Sequence, residues 1–420
     1  MSEAPTRTTF SSYDVVVLGA GYAGLMAALR LGRRKWKLRI ALVNDREQFL
    51  ERVRLQESVV AAVAPRIPSI ATLVAGTSIE FIRGSVISLD AERRRIRIAI
   101  DNQEREIAFD QAIYALGSHI DVNNVPGAEE YTYRLEAGDG SRSVEALRSR
   151  LVQNGDPPMR VVTVGGSETG VEVASEIKTA WPSAEVTMIG GSQCGGFKGP
   201  RVEKVVRGEL NRLGVTMIDG EVVTEVRSAE IRTDKARVLA YDICVWATGL
   251  RSAPIARDAG LATDARGRVF VSPNLRSISH PCILAVGDAA HPIAPTGAAY
   301  RLSAFTAAVS GAYAADVIIA RRAKRQLPPF SYSAFGQGVA IGHRGVGFFT
   351  YPDDRQNLFI LKGRAARHIR NFFVAFFIYV LRVERRCPGF FFWPGRRRIS
   401  WDEANDALRK VEAAHKVRTA

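Results

Sequence analysis

The chain has only four cysteines, Cys194, Cys244, Cys282 and Cys387, and no two of them stand in a CxxC or CxxxxC spacing. That scarcity argues against a disulfide framework, a zinc site or a dithiol redox centre, and it makes cytosolic residence the default expectation. No metal site is expected. Long apolar runs are also missing. Residues 1–12 are polar and lack a signal-peptide core, and glycines end the run Val15–Val16–Val17–Leu18 too early for export or a span. No helix-turn-helix, zinc-finger or RNA-binding signature accompanies the basic residues, so nucleic acid is not an expected partner.

What is present is a chain of 420 residues, 46% hydrophobic, enough for two or three domains. Its 36 glycines fall largely in short clusters behind apolar runs, a pattern that suits phosphate-binding turns. The balance is basic, with 58 Lys+Arg against 43 Asp+Glu and a net charge of +15. Near the C-terminus Arg364, Arg367, Arg370, Arg382, Arg385, Arg386, Arg396, Arg397 and Arg398 interleave with Phe-rich stretches. A membrane or partner surface and a plain solvated basic face are both compatible with that pattern.

Residues 14–24 read DVVVLGAGYAG. A β-branched strand runs into Gly19-Ala20-Gly21-Tyr22-Ala23-Gly24, and the helical stretch Leu25–Leu31 follows. Gly19 allows the tight turn, Gly21 lets a pyrophosphate approach the backbone, and Gly24 lets helix and strand pack closely. The helix N-terminus adds free N–H groups and a positive dipole end. A second strand, Leu38–Val43, ends at Asn44-Asp45, 25 and 26 residues past Gly19, where a side chain is expected to meet the adenosine ribose.

The same grammar returns at residues 160–177, RVVTVGGSETGVEVASEI. Strand Arg160–Val164 leads into Gly165-Gly166-Ser167-Glu168-Thr169-Gly170 and a helix from Val171. Asn154-Gly155-Asp156-Pro157-Pro158 ahead of it reads as a linker. Ser167 takes the slot of the second glycine. The next strand, Glu185–Ile189, ends at Gly190, the counterpart of Asn44, so no carboxylate stands ready for a ribose 2′-hydroxyl. Lys198 and Arg201 lie downstream, and NADH against NADPH stays open.

Three further segments fit a pattern. Ala115-Leu116-Gly117-Ser118 follows strand-like Ala112–Tyr114, Ala247-Thr248-Gly249 follows Ile243–Trp246, and Gly287-Asp288 follows Ile283–Val286. With the two dinucleotide motifs, this order resembles the two-dinucleotide-binding-domain flavoproteins over about residues 13–320. Thr169-Gly170-Val171-Glu172 resembles the T-G-V-E of their type II NADH dehydrogenase and apoptosis-inducing-factor-like branch. The resemblance implies an α/β fold with two Rossmann-like domains and a C-terminal α-rich module. The FAD domain would comprise residues 1–125 and 281–327, the inserted NAD(P)H domain 126–280, and the C-terminal module 328–420.

The same resemblance implies FAD and NAD(P)H as cofactors. It assigns Gly19, Ala20, Gly21, Tyr22, Ala23, Gly24, Asn44, Asp45, Val86, Ala115, Leu116, Gly117, Gly287 and Asp288 to the first site, with Asp288 on the ribityl chain. Gly165, Gly166, Thr169, Gly170 and Gly249 go to the second. Phe49–Leu55 resembles the branch's F-x-x-R-like stretch, and Arg54 rather than Arg52 is expected near FAD. Glu172, expected on the first helical turn and facing the nicotinamide–flavin stack, and His291, three residues past Asp288, are the catalytic candidates.

A flavin accepts hydride from a stacked nicotinamide, and the protein supplies position and electrostatics. Phe49–Ala64 contains no Cys, so electrons must leave reduced flavin directly for an external acceptor. A quinone is expected first. However, residues 295–306 lack the Gln residues usual at the branch's quinone site, so a soluble reductase with a protein or small-molecule acceptor stays open, as does a redox-responsive binding protein. His119 and Tyr300 are weaker site candidates. The apolar run Phe372–Leu381 gives a helix of about 15 Å, half a hydrocarbon core, so it cannot span. With Phe390–Trp393 and the arginines it suits in-plane docking on the cytoplasmic face of a membrane, packing on the domain body, or a homodimer contact. Trp401–Val417 reads as an exposed amphipathic helix.

Overall fold

The computed structural model describes residues 11–32, 37–60, 68–138, 140–154, 159–196, 199–293, 299–332, 336–350, 356–392 and 399–419, with backbone alone at 356–358 and 411–419. Val15–Leu18 carry bulky apolar groups on both faces of a strand, and each is at most 1% exposed. Burial on both faces calls for parallel neighbours covered by helices. Accordingly β1 (Ser11–Leu18) turns into α1 (Tyr22–Leu31) and returns parallel as β2 (Ile40–Asn44). A 3-10 turn at Arg52–Arg54 and short helices α2 (Leu55–Ser58) and α3 (Ile70–Val74) lead to β3 (Ile79–Arg83) beside β2. Then β4 (Ser85–Asp90), β5 (Arg95–Ile100) and β6 (Gln103–Tyr114) form an antiparallel meander that closes parallel on β1. The order is β3-β2-β1-β6-β5-β4.

After β7 (Ser118–Ile120), α4 (Ala128–Tyr131), β8 (Tyr133–Arg134) and α5 (Val144–Asn154) the arrangement repeats. β9 (Arg160–Val164), α6 (Glu168–Ala180), β10 (Glu185–Gly190), α7 (Pro200–Leu213) and β11 (Thr216–Asp219) alternate strand and helix. A small antiparallel sheet of β12 (Val223–Val226), β13 (Glu230–Thr233) and β14 (Val238–Ala240) precedes β15 (Ile243–Trp246). The second parallel sheet has the order β11-β10-β9-β15-β8. Strand Arg160–Val164 falls where the sequence places it, whereas α6 begins at Glu168, ahead of the expected Val171.

The chain then goes back. β16 (Leu250–Ser252) pairs antiparallel with β7, followed by α8 (Ile255–Asp258) and β17 (Val269–Phe270). β18 (Ile283–Ala285) adds parallel to β6, β19 (Ala290–His291) pairs with β17, and α9 (Ala304–Arg322) packs on α1. Ala256, Leu261, Val269, Val271 and Leu275 are buried in the first core, so the chain has rejoined it before residue 281. α9 is long and apolar enough to cross a membrane, but 67% of its apolar window is buried inside the fold.

The C-terminal segment holds two long helices and also a three-stranded antiparallel sheet that the sequence reading did not anticipate. Its strands are β20 (Gly336–Ile341), β21 (Arg344–Thr350) and β22 (Gln356–Gly363). Glycines at 336, 338, 345 and 347 weaken the strand pattern in sequence. The packing explains two of them. A Cβ at Gly338 would lie 2.9 Å from Arg370 Cβ, and one at Gly345 would lie 3.1 Å from Arg367 N. Helix α10 (Arg364–Arg386) therefore lies directly on the bare backbone of this sheet. α11 (Trp401–Thr419) ends the described chain.

α10 ties the two cores together. Phe377, Val380 and Leu381 enter the first core, while Val339, Ile341, Val346 and Phe348 of the sheet beneath it enter the second. Its buried face also carries Glu384, which is fully buried and receives Arg30 Nε of α1 at 2.8 Å. The same carboxylate accepts the N–H groups of Gly389 at 2.6 Å and Phe391 at 2.8 Å, and Arg30 donates to Phe391 O. Breaking a buried pair by removing one partner costs about 3–5 kcal/mol. Arg30→Met is therefore expected to lower unfolding free energy by about that amount in urea titration. An unchanged midpoint would show that the pair carries no such weight.

Candidate dinucleotide and flavin site

Parallel pairing sets Leu18 opposite Tyr114 and Tyr114 opposite Ala285. The residues that follow, Gly19, Ala115 and Val286, leave the sheet at one edge. Their N–H groups still join the ladder: Gly19 to Val43 O at 2.8 Å, Ala115 to Leu18 O at 2.9 Å, and Val286 to Tyr114 O at 3.1 Å. Three sequence motifs more than 250 residues apart at their extremes thus meet at the carboxyl ends of adjacent strands. In open α/β sheets that is where ligands bind.

The glycine loop is shaped for a close ligand. Gly19 has φ +94°, and a Cβ there would stand 2.5 Å from Ala115 O. A Cβ at Gly24 would stand 1.8 Å from Gly19 O, so α1 can approach the loop only with glycine. At Gly21 and Gly117 a Cβ would meet nothing within 4 Å, which leaves the open space a pyrophosphate needs. Asn44 Oδ1 accepts the Ala20 N–H at 2.9 Å and steadies the loop, while Asp45 is exposed. Tyr22 is buried against Phe49 and Phe377, with ring centroids 5.1 and 5.2 Å away, and its hydroxyl has no partner among the described residues. Ala23 faces Gly287, where a Cβ would lie 3.1 Å from Ala23 Cβ. Val86 is half-buried in β4, opposite Ile98.

Asp288 sits in a 3-10 turn, Gly287–Ala289, at that edge. Its Oδ2 accepts Ser118 Oγ at 2.8 Å, and its backbone O accepts Ser252 Oγ at 3.2 Å. Arg52 donates to Ser118 O, so it joins this constellation. Arg54, the residue preferred from sequence, turns away: its Nε lies 2.9 Å from Glu57 and its Nη1 3.7 Å from Glu51. Arg54 is thus engaged by Glu51 and Glu57, whereas Arg52 reaches Ser118. In the 3-10 turn the two side chains point to different partners, a distinction that spacing does not reveal.

The second edge repeats the first. Val164 stands opposite Ile189 and Trp246, with Gly165 N donating to Ile189 O and Ala247 N to Val164 O, both at 2.8 Å. A Cβ at Gly165 would be 2.7 Å from Ala247 O, and one at Gly170 1.9 Å from Gly165 O. Ser167 (φ −78°, ψ −179°) keeps the extended backbone of Gly21 (φ −71°, ψ −170°) and is exposed, so the exchange leaves the loop path intact. Thr169 is exposed beside it. A Cβ at Gly166 would lie 3.1 Å from Cys194 Cα, so the loop after β10 folds over this turn. A Cβ at Gly190 would lie 3.0 Å from Gly166 N, so a ribose carboxylate cannot be placed there without moving the loop. Gly249 (φ +80°) accepts Asp121 N–H at 2.8 Å, and from it β16 crosses to β7, joining the second edge to Ser118 and Asp288 of the first. Lys198 and residues 295–298 lie outside the described residues.

The two catalytic candidates have defined surroundings. Glu172 lies on the second turn of α6, not the first, and it is buried. One oxygen accepts Ala340 N–H at 2.9 Å, and Arg370 Nη2 stands 3.2 Å away. Arg370 also holds Glu57 at 2.6 Å and Val53 O at 2.8 Å, and Arg367 holds Glu176 at 2.6 Å. Burial pushes the carboxyls of Glu172 and Glu176 up, against the pull of these arginines. Glu172 is therefore clamped beneath the C-terminal module, between Ala340 of β20 and Arg370 of α10. His291 is half-buried on β19, with Nδ1 2.8 Å from Asp264 Oδ2 and 3.0 Å from Arg268 Nη2. Burial opposes ionisation of Asp264, yet the His291 hydrogen bond, the Arg268 N–H and the Arg268 charge hold its carboxyl well below the usual range.

His119 is exposed on β7. Tyr300 packs edge-on to Phe330 and accepts Tyr332 N–H at 3.0 Å, so its hydroxyl is occupied. Sequence reasoning held Arg52 only as the lesser alternative to Arg54, and it missed Ser252 and the Arg370 clamp. The last was accessible in principle: Arg370 and Glu384 share a helix face with Phe377 and Leu381, at spacings of seven, four and three residues. A charge on an apolar face needs a buried partner.

Two sheets whose parallel strands follow the same plan, each with a glycine turn at its switch point, define a double dinucleotide-binding flavoprotein fold. The chain matches the family of pyridine nucleotide-disulphide oxidoreductases over residues 13–312, and it belongs to that family. It is an oxidoreductase with FAD and NAD(P)H as its cofactors. Among named relatives, demethylphylloquinone reductase NdbB of Synechocystis is 24% identical over 344 residues, covering 79% of this chain and 85% of that protein. Ferroptosis suppressor protein 1 of Xenopus tropicalis is 26% identical over 364 residues, covering 81% and 89%. Among solved folds, NDH2 of Plasmodium falciparum in complex with NADH superposes with a TM-score of 0.73 at 16% identity, covering 93% of this chain and all of that one. The sulfide:quinone oxidoreductase of Aquifex aeolicus reaches 0.76 at 16% identity, covering 90% and 93%.

Two outcomes are expected. Asp288→Ala removes a charged hydrogen-bond acceptor, worth about 1.5–3 kcal/mol, so FAD affinity should fall about ten- to a hundredfold in flavin-fluorescence titration. Full retention of flavin would remove Asp288 from the site. Asp264 has a depressed folded pKa, so its contribution to stability is present above about pH 4 and is lost as pH falls below that. The urea midpoint of wild type should exceed that of Asp264→Asn at pH 7, with the gap narrowing at pH 3. A gap that widens on acidification would contradict the assignment.

Proposed function

We propose that this chain is an NAD(P)H:quinone-type oxidoreductase working at a membrane surface. The observation that carries the reading is the convergence of Gly19, Ala115–Ser118 and Gly287-Asp288 at one sheet edge, joined through β7 and β16 to the edge holding Gly165 and Gly249. When bound, FAD supplies hydride acceptance and onward electron transfer. The residues of this chain bind and orient. The Gly19–Gly24 loop and the start of α1 hold the pyrophosphate, with Asn44 and Asp45 at the adenosine ribose and Val86 nearby. Ala115, Leu116 and Gly117 line the flavin, Asp288 holds the ribityl hydroxyls, and Arg52 fixes Ser118 against Asp288. Gly165, Gly166, Thr169 and Gly170 receive the nicotinamide dinucleotide, and Gly249 brings it toward the first edge. Glu172 acts as a positioning residue, holding β20 and α10 on α6. His291, oriented through Nδ1 by Asp264, keeps Nε2 for an acceptor or its proton.

The acceptor class follows from the relatives' activities and from α10. NdbB is named a demethylphylloquinone reductase, and a lipid-soluble quinone is reached from a membrane surface. α10 leaves Phe372 65%, Phe373 45% and Tyr379 57% exposed, on a helix with arginines in its last turn. Bulky aromatics with a basic fringe suit an in-plane helix at the headgroup boundary. A peripheral position on the cytoplasmic face is the location this implies.

NADH and NADPH oxidation by the FAD-loaded protein, with a quinone analogue and with a generic dye, tests the reaction. Quinone turnover at or above about 1 per second is expected, the lower end of ordinary enzyme rates. Dye reduction with no quinone reduction would reject the acceptor class. Separately, Phe372→Glu/Phe376→Glu is expected to abolish co-sedimentation with liposomes while leaving dye reduction intact. Unchanged sedimentation would reject docking through α10.

A further inference from the structure

At the C-terminal end of α10 the surface opens into a cavity of about 530 Å³, lined by Gly32, Gly76, Thr77, Arg385, Arg386 and Phe390, among others. That volume lies in the range of small-molecule sites. It forms where α1 ends, where the turn between α3 and β3 passes, and where the chain leaves α10. None of its lining residues is acidic. Arg385 donates to Thr72 O at 2.8 Å, a neutral acceptor, and neither Arg385 nor Arg386 has a carboxylate partner among the described residues. The neighbouring acid, Glu384, is withdrawn: it points into the protein and is matched by Arg30. Thr77 spends its hydroxyl on Val74 O at 2.7 Å, so recognition of a ligand rests on the two guanidinium groups. In sequence, Gly32 is followed by Arg33, Arg34 and Lys35.

The cavity is continuous with the apolar face of α10. Phe372, Phe376, Tyr379, Val383 and Arg386 recur at spacings of four, three, four and three residues, so they form one stripe along the helix. The rings stack in series, Phe372 on Phe376 and Phe376 against Tyr379, each at 6.2 Å. Arg386 ends the stripe where the cavity begins. On its far rim Phe390 is 53% exposed, and two residues on Phe392 is 78% exposed. Their turn is held rigid by Glu384, through the N–H groups of Gly389 and Phe391. Two uncompensated guanidinium groups thus sit at the base of a fixed pair of outward aromatic rings.

We propose that this cavity is a headgroup subsite, taking the phosphate of an anionic phospholipid while the α10 stripe and the Phe390–Phe392 turn rest in the acyl boundary. Planar guanidinium forks match phosphate oxygens in pairs, which a diffuse positive surface does not require. The rings on both sides place the bound phosphate at headgroup depth and favour a lipid over a free anion. The inference rests on the docking reading of α10 and adds a lipid class and a place for it.

The test uses the full-length FAD-loaded protein and two vesicle types, pure phosphatidylcholine and phosphatidylcholine with phosphatidylglycerol, at constant ionic strength. Wild type is expected to bind the anionic vesicles more tightly. Arg385→Gln/Arg386→Gln should reduce that binding about thirtyfold, from roughly a fivefold effect per basic residue at an anionic surface. Arg385→Lys/Arg386→Lys keeps the charge but loses the fork, and it should restore only part of the affinity. NADH:dye activity, unchanged in both variants, reports intact folding. Inorganic phosphate should not displace the protein from vesicles. Lysine variants equal to wild type would reduce the effect to diffuse charge and overturn the subsite, as would displacement by inorganic phosphate. Equal binding to both vesicles, insensitive to the glutamine changes, would overturn the subsite and leave α10 docking in place. Binding to neither vesicle would end both.

Discussion

Leu18, Tyr114 and Ala285 end three neighbouring parallel strands at one level, and almost everything functional here depends on that register. A shift of one residue in any of the three would send its loop to a different height and turn its side chains to the opposite face. Gly19, Ser118 and Asp288 would then no longer share an edge. The register is held by burial at the strand ends: Val15–Leu18 of β1, Ala112–Tyr114 of β6 and Ile283–Ala285 of β18 are all buried in the first core. The second sheet uses the same device, with Val164 set between Ile189 and Trp246. The two edges are then connected by a short antiparallel pair, β7 with β16, so the glycine loops of the two folds belong to one framework.

The C-terminal module depends on that framework and also closes it. Arg370 and Arg367 reach from α10 to Glu57 beside the first fold and to Glu172 and Glu176 on the helix of the second. Burying so many charges is costly, and such clusters persist where every member is paired with good geometry. The cluster fixes α10 relative to both sheets. The separate Arg30–Glu384 pair fixes its far end and the aromatic turn beyond it. Because both ends are pinned, the exposed Phe372 and Tyr379, with half-buried Phe376 between them, have a definite orientation relative to the first sheet edge. The exposed aromatic face of α10 and the two glycine-turn edges are thereby held in one rigid relation.

Local pattern determined a good deal of this protein. Glycine turns between a buried strand and a helix are legible because only glycine tolerates the left-handed φ of Gly19 or the 1.8 Å approach at Gly24. Strands Arg160–Val164 and Ile243–Trp246 stand out as short apolar runs with turn signals at their ends. From these the double dinucleotide fold, its cofactors and its reaction class follow. Tertiary structure alone decided which partners two arginines in one short turn take, Ser118 for Arg52 and Glu57 for Arg54, because the two differ only in what the rest of the chain brings near them. It alone placed Glu172 under Arg370, nearly two hundred residues away in sequence. It alone produced a sheet from glycine-rich β20 and β21, whose missing side chains make room for α10 and so look like an absence of structure until the helix is in place. Short-range sterics and periodicity are written into neighbouring residues. The partner of a buried charge and the space left by a glycine are set by segments that meet only on folding.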